Sequence, residues 1–84
     1  MASTDTTAAR VEEVVIAALV EFGSDPELVG RDATFTSLDV DSLDMVELAQ
    51  VVQDEFGLEL TSSDVATMTT VGDAIDLVVA RLEA

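Results

Sequence analysis

The side chain best placed to do chemistry is the hydroxyl of Ser42, in the segment Asp41-Ser42-Leu43-Asp44. Asp41 is a strong N-cap type and Asp44, three residues later, can reciprocate as in a capping box, so a helix is predicted to begin at Ser42. A serine there is exposed, and the free N–H groups of a helix N-terminus favour anions, so a phosphate ester on its hydroxyl would be well placed. Most serines flanked by aspartate at a helix start only cap the helix, and the local pattern leaves both interpretations open.

The chain lacks the side chains that would activate this hydroxyl. It has no Cys, His, Lys or Tyr, which leaves only carboxylates for acid–base chemistry. We therefore predict no catalytic residue and no enzymatic activity, so that any modification of Ser42 is made by another protein and any thiol is supplied by a prosthetic group. No metal site is predicted either, because Leu43 and Gln50 fall at ligand positions when the surrounding aspartates are aligned with an EF-hand loop.

The charge of the chain restricts its partners. Its 84 residues carry a formal net charge of −15, and the basic side chains are Arg10, Arg31 and Arg81. Such a surface repels nucleic acid and anionic membranes and attracts basic protein patches, although an acidic balance also serves to keep a small protein soluble. The first residues lack the features of a secretory signal and no apolar stretch approaches the roughly 20 residues that span a bilayer, so we expect a soluble, cytoplasmic monomer.

The apolar pattern predicts an all-α domain over residues 7–84, after a disordered tail of residues 1–6. Helix one is predicted from about Thr7 to Phe22, followed by a helix stop at Gly23 and a long connection from Ser24 to Asp41. Loops of this length are uncommon unless they are functional or anchored. The predicted buried face of helix one comprises Ala8, Val11, Val15, Ala18, Leu19 and Phe22, and the predicted loop anchors are Leu28, Val29, Phe35 and Leu38.

Three further helices complete the predicted bundle. Helix two is predicted from about Ser42 to Phe56, ending at Gly57. Capping-box patterns at 61–64 and 70–73 predict a short third helix that ends near residue 67 and a fourth that runs to about residue 82. The remaining predicted core comprises Met45, Leu48, Ala49, Val52, Phe56, Leu60, Met68, Val71, Ala74, Ile75, Leu77, Val78 and Leu82, whereas Leu43, Val46, Glu47, Gln50, Gln53 and Asp54 are expected toward solvent. The predicted fold is a bundle of three longer helices and one short one.

Two apolar residues beside Ser42 indicate a protein contact. Leu43 and Val46, next to Asp44 and Glu47, form a small apolar surface with an acidic rim, as transient protein interfaces do. Scattered exposed apolar residues are also ordinary, so the pattern alone does not decide between a contact and a bare surface.

The segment Asp-Ser-Leu-Asp-Met-Val-Glu-Leu at residues 41–48 closely resembles the Asp-Ser-Leu region of acyl carrier proteins. The resemblance includes the preceding Phe-Thr-Ser-Leu at 35–38 and continues through residues 54–60 and 68–75, so it covers most of the chain. It implies a four-helix fold with a short third helix and a 4′-phosphopantetheine arm on Ser42, flanked by Asp41 and Leu43. The arm holds acyl groups as thioesters, and in fatty-acid carriers the core can open to shelter the acyl chain.

The resemblance also implies partners. A phosphopantetheinyl transferase would attach the arm from coenzyme A, and ketosynthase, acyltransferase and reductase enzymes would meet helix two through basic patches. The residues expected at these contacts are Leu43, Asp44, Val46, Glu47 and Asp54. Many fatty-acid carriers have glycine at the position of Asp39, an apolar residue at that of Gln50 and an acid at that of Gln53, so the sequence does not separate fatty-acid from polyketide synthesis.

Two other functions remain open at this stage. A peptidyl carrier of nonribosomal synthesis is the nearest alternative, although such carriers usually have glycines just before the serine, where this chain has Asp39-Val40-Asp41. The other is an unmodified acidic helical adaptor, in which Ser42 only caps a helix and the acidic face binds a basic partner. Covalent modification of Ser42 would distinguish a carrier from the adaptor.

Overall fold

The computed structural model describes residues 7–83, and they form a bundle of four helices. The helices are α1 (Thr7–Glu21), α2 (Ser42–Phe56), α3 (Ser62–Ala66) and α4 (Val71–Glu83). The predicted all-α fold is confirmed, with three longer helices, one short third helix and a long loop between α1 and α2. The predicted tail, residues 1–6, lies outside the described residues. Within residues 7–83 no helix has the length and apolar character needed to cross a lipid bilayer.

The core lies where α1 packs against both α2 and α4. Its buried members are Val11, Val15, Ala18, Leu19, Val29, Phe35, Leu38, Leu48, Val52, Val71, Ala74, Ile75 and Val78. Six residues predicted in the core, Phe22, Met45, Phe56, Leu60, Met68 and Leu82, are only partly buried and pack around it. Ala49 and Leu77 are also only partly buried.

Two predicted apolar contacts are wrong. Ala8 is exposed, because the first turn of α1 lies beyond the edge of the core, which α1 enters only at Val11. Leu28 is 64% exposed, because the turn formed by Leu28 N–H and Asp25 C=O turns its side chain outward, whereas its neighbour Val29 is buried. The other three predicted loop anchors are buried, so the loop is held as expected.

The long loop is hydrogen-bonded to the start of α4. The first N–H groups of a helix have no partner within the helix. Here Val71 N–H donates to the Ala33 carbonyl and Gly72 N–H to the Arg31 carbonyl, each at 2.9 Å. Phe35 N–H in turn donates to the Thr69 carbonyl at 3.1 Å. The loop therefore supplies acceptors for the first N–H groups of α4, and α4 fixes the position of the loop.

A tight turn joins this anchored loop to α2. Val40 N–H donates to the Phe35 carbonyl at 3.0 Å, the bond that closes a Schellman-type turn, and Asp39 takes the left-handed conformation with φ 60°. The Thr34 side chain accepts from Ser37 N–H at 3.0 Å and so stiffens the same turn. This rigid segment delivers the chain to Asp41 at a defined position and angle.

Each of the three arginines forms an ion pair between separate parts of the chain. Arg10 of α1 lies 3.9 Å from Glu55 at the end of α2. Arg31 of the loop binds Asp76 of α4 at 2.7 Å, and Arg81 of α4 binds Asp64 of α3 at 2.6 Å. These three arginines are all the basic side chains of the sequence, and each is paired with a carboxylate within residues 7–83.

Candidate functional site

The start of α2 presents the Ser42 hydroxyl to solvent. Asp41 is the N-cap: its Oδ1 accepts Asp44 N–H at 2.9 Å, and Asp44 Oδ2 accepts Asp41 N–H at 3.4 Å, which confirms the predicted capping box. Ser42 is the first helical residue and is exposed. Among residues 7–83 the structure gives no hydrogen-bond partner to its hydroxyl. Because Asp41 does the capping, the Ser42 hydroxyl remains available for chemistry.

Beside Ser42 an open groove of about 720 Å³ runs along α2. We call it the groove; its walls come from the turn before α2, from α2 itself and from the α3 segment. It is lined by Phe35, Thr36, Val40, Asp41, Ser42, Met45, Val46, Ala49, Gln50, Gln53, Leu60, Thr61, Ser62, Val65, Ala66 and Met68. From Ser42 to Gln53 the helix rises about 16 Å, at 1.5 Å per residue. A group attached to Ser42 could therefore lie along the groove for three turns.

The floor of the groove separates it from the inner core. A second space of only about 10 Å³ lies deeper in the bundle, at the limit of what one water molecule needs. Met45, Ala49, Leu60 and Met68 line both spaces. The core is thus closed as it stands, and two flexible methionines form part of the partition between it and the groove.

At its far end the groove is bounded by a hydrogen bond that the sequence did not predict. Gln53, expected toward solvent, is half-buried, and its side-chain Oε1 accepts Leu60 N–H at 2.7 Å. The bond joins the end of α2 to the segment that leads into α3. No local sequence signal indicates this, because the partners belong to different elements and meet only after Gly57 turns the chain with φ 67°.

The α3 wall depends on Asp64. Asp64 Oδ2 accepts Thr61 N–H at 2.9 Å and Thr61 Oγ1 accepts Asp64 N–H at 3.1 Å, which confirms the predicted capping box. Asp64 Oδ1 binds Arg81 Nη2. The Arg81 hydrogen bond, followed by that of Thr61 N–H, lowers the pKa of Asp64 to about 2. The carboxylate therefore stays ionised, and both of its oxygens are occupied.

The structure places most of the predicted contact residues on the outward surface of α2. Leu43 is 73% exposed and Val46 52% exposed, and Glu47 and Asp54 are exposed as well. We call these four residues the contact face. Asp44, the fifth predicted contact residue, is half-buried and forms the predicted capping box with Asp41.

The sequence did not indicate which residues oppose Ser42 across the groove. Val65 and Ala66 were predicted only as part of a short helix. Arg81, which binds Asp64 of this wall from outside the groove, was predicted only as one of few basic residues. Their arrangement depends on contacts between α2, α3 and α4. The capping box at Thr61 was the one signal that located this wall.

Comparison with known proteins bears on the whole of this site. Residues 12–78 match the protein family described as the phosphopantetheine attachment site. The fold is similar to the crystal structure of an acyl carrier protein from Thermotoga maritima, with a TM-score of 0.77 and 29% sequence identity. That similarity covers 96% of each chain. Both matches include α2, α3 and the loop that precedes them.

Proposed function

Because the chain belongs to the phosphopantetheine attachment-site family, we propose that it is an acyl carrier protein whose arm is attached to Ser42. The family and fold are those of a carrier and not of a catalyst. The cofactor is accordingly 4′-phosphopantetheine, held covalently. The observation that carries the assignment to Ser42 is the exposed hydroxyl at the first residue of α2, which makes no hydrogen bond within residues 7–83 and opens onto the groove.

Attachment of the arm needs a second protein. In the proposed step the Ser42 oxygen attacks the phosphorus that bears the pantetheine unit in coenzyme A, forming a phosphodiester, and adenosine 3′,5′-bisphosphate leaves. The hydroxyl proton passes to a base of the transferase, since the chain has neither His nor Lys to accept it. Mg²⁺ on the transferase would offset the negative charge of the diphosphate. The chain's own part is to hold the hydroxyl rigidly at the end of α2, where N–H groups favour the new phosphate.

The loaded arm would then carry growing acyl or ketoacyl chains as thioesters. The groove supports this proposal, because its apolar floor of Met45, Ala49 and Met68 suits a hydrocarbon chain. Polar groups along its rim, such as those of Gln50 and Thr61, suit the amides of the arm or the carbonyls of a ketoacyl chain. This mixed lining fits fatty-acid and polyketide cargo alike.

Partner enzymes would meet the contact face. Leu43 and Val46 supply an apolar centre, and Glu47 and Asp54 supply charge toward the basic patches of a transferase, ketosynthase, acyltransferase or reductase. Asp44 would add to this field from its capping position. Such contacts should form quickly and break quickly, because a carrier must leave one enzyme to reach the next.

Intact-mass measurement tests the assignment. The chain is incubated with a broad-specificity phosphopantetheinyl transferase, coenzyme A and Mg²⁺, and we expect a gain of one phosphopantetheinyl unit that Ser42→Ala abolishes. Ser62→Ala is the matched control, because Ser62 is also the exposed first residue of a helix with a capping box and also lines the groove. It should load like the unmodified sequence.

The opposite result would identify a different function. If a sample shown to be folded by circular dichroism gains no mass, the carrier proposal fails and the acidic adaptor becomes the better account. If Ser42→Ala still gains mass while Ser62→Ala does not, the chain is a carrier but the assignment of its attachment residue is wrong.

A further inference from the structure

The α3 helix forms one wall of the groove but is weakly packed. It has only five residues, and none of them is buried. Val65 is half-buried and Ala66 is exposed, although both line the groove. A segment with few buried contacts opens at low free-energy cost, so the position of this wall depends on its polar contacts.

The polar contact that holds α3 from the opposite side comes from Arg81. Its guanidinium Nη2 donates to Asp64 Oδ1 at 2.6 Å, and its Nη1 donates to the Glu59 carbonyl at 3.3 Å. One side chain of α4 thus donates hydrogen bonds both to α3 and to the segment that leads into it. The Asp64 side chain is only 15% exposed, so water and salt screen this pair less than a pair on the open surface.

We propose that Arg81 is a positioning residue that sets how far α3 stands from α2 and therefore how readily the groove opens. It touches neither Ser42 nor the interior of the groove. It acts through Asp64, whose second oxygen holds Thr61 at the start of α3. When the Arg81 contact is released, the capping box at Thr61 still forms the start of α3 but no longer ties it to α4, and α3 moves outward as a unit.

A second ion pair provides an internal comparison. Arg31 binds Asp76 at 2.7 Å, nearly the same distance, but this pair joins the long loop to α4 and Asp76 is 69% exposed. Replacement of Arg31 removes the same charge and a similar ion pair, but Arg31 makes no ion pair with α3. Any effect specific to Arg81 therefore reports on the wall of the groove and not on ion pairs in general.

Hydrogen exchange of the chain without an arm tests the proposal. In Arg81→Gln we expect the amides of Val65, Thr67 and Met68, whose acceptors lie in or next to α3, to exchange about two- to fivefold faster. Arg31→Gln should leave these three rates unchanged. Arg81→Lys should give intermediate rates, because an ammonium keeps the charge toward Asp64 but lacks the planar fork that also reaches the Glu59 carbonyl.

The free energy of unfolding, measured by urea titration on the same samples, separates positioning from general stabilisation. Faster exchange that is confined to α3 supports the proposal. Equal rates in Arg81→Gln and the unmodified sequence would overturn it, as would acceleration of the whole chain in proportion to lost stability. This arm of the test needs no cofactor, so its outcome does not depend on the carrier function.

The consequence for cargo rests on the proposed function. On chains loaded with an octanoyl arm, Arg81→Gln should enlarge the shift changes of the Val65 and Ala66 methyl signals relative to the unmodified sequence, and Arg31→Gln should not. Identical shift changes in both variants would show that the ion pair does not govern access to the groove. Absence of loading in every variant would instead refute the function of Ser42.

Discussion

Replacement of Gly72 by alanine tests whether the loop before Ser42 is fixed by its contact with α4. Gly72 is buried, and a Cβ atom there would lie 3.0 Å from the Arg31 carbonyl oxygen and 3.4 Å from the Arg31 Cβ. That oxygen also accepts Gly72 N–H at 2.9 Å. The clash can be relieved only if the loop backbone moves away, which lengthens the hydrogen bond that holds it.

Two opposed terms set the size of the effect. Overpacking of this kind costs about 1–3 kcal/mol, whereas alanine in place of glycine favours a helix by up to about 1 kcal/mol. We therefore expect the free energy of unfolding to fall by about 1 kcal/mol, which corresponds to a Tm lower by about 4–8 °C in a domain of this size. Because the chain has no Trp or Tyr, unfolding is followed by far-ultraviolet circular dichroism in urea and on heating.

Gly30→Ala is the matched control. Gly30 has nothing within 4 Å of the new Cβ and does not have a positive φ, so alanine should leave stability unchanged or raise it by about 0.4–1 kcal/mol. If Gly72→Ala is as stable as Gly30→Ala, helix propensity outweighs the contact and the loop is not held tightly against α4. The account of how Ser42 is positioned would then be wrong.

Three further predictions address electrostatics and backbone strain. The pKa of Asp64 is lowered to about 2, and that of Asp73 is also lowered by the N–H groups of the chain before α4, so ionised forms stabilise the fold. The stabilisation by these carboxylates should therefore be present above about pH 4 and be lost as the pH drops through about 2. Urea titrations across this range measure the free energy of unfolding. If Asp73→Asn loses as much free energy over this range as the unmodified sequence, Asp73 does not contribute to the stabilisation. Asp39→Gly should raise the free energy of unfolding by up to about 1 kcal/mol, because glycine adopts φ 60° without strain, and a loss of stability would show that the Asp39 side chain contributes to the turn. Glu47→Gln should lower the rate of arm attachment about twofold at low salt but not at high salt, whereas Glu13→Gln on α1 should have no effect; equal losses would mean that net charge alone steers the partner.

The helix boundaries were predictable because their signals are local. Asp41, Thr61 and Thr70 each precede an aspartate by three residues, and each pair forms the reciprocal hydrogen bonds of a capping box. Gly57 ends α2 in the left-handed conformation that glycine favours. These motifs need no information from the rest of the chain, so the bounds of α2 agree with the prediction at both ends.

The parts that were not predictable depend on contacts between distant residues. Gln53 faces solvent by helical periodicity alone, but the segment after α2 folds back and uses its side chain as an acceptor. Leu28 is apolar like the other loop anchors, and only the turn at Asp25 decides that it points outward. The pairing of Arg81 with Asp64 likewise follows from the packing of α4 against α3. Ser42 could be identified because a local motif marks it. The α3 wall of the groove could not be identified, because it is placed by contacts between distant residues.

The hydrogen bonds between the long loop and the start of α4 also determine when the site can form during synthesis. The carbonyls of Arg31 and Ala33 have their partners about 40 residues later in the chain, at Val71 and Gly72. When only α1 and α2 have been synthesised, Val71 and Gly72, whose N–H groups hold the loop before Ser42, are therefore still missing from the chain. Closing this contact is a non-local step, which pays its loop entropy before it gains its bonds. The nascent chain therefore contains Ser42 early, but holds it in its native position only after the start of α4 has left the ribosome.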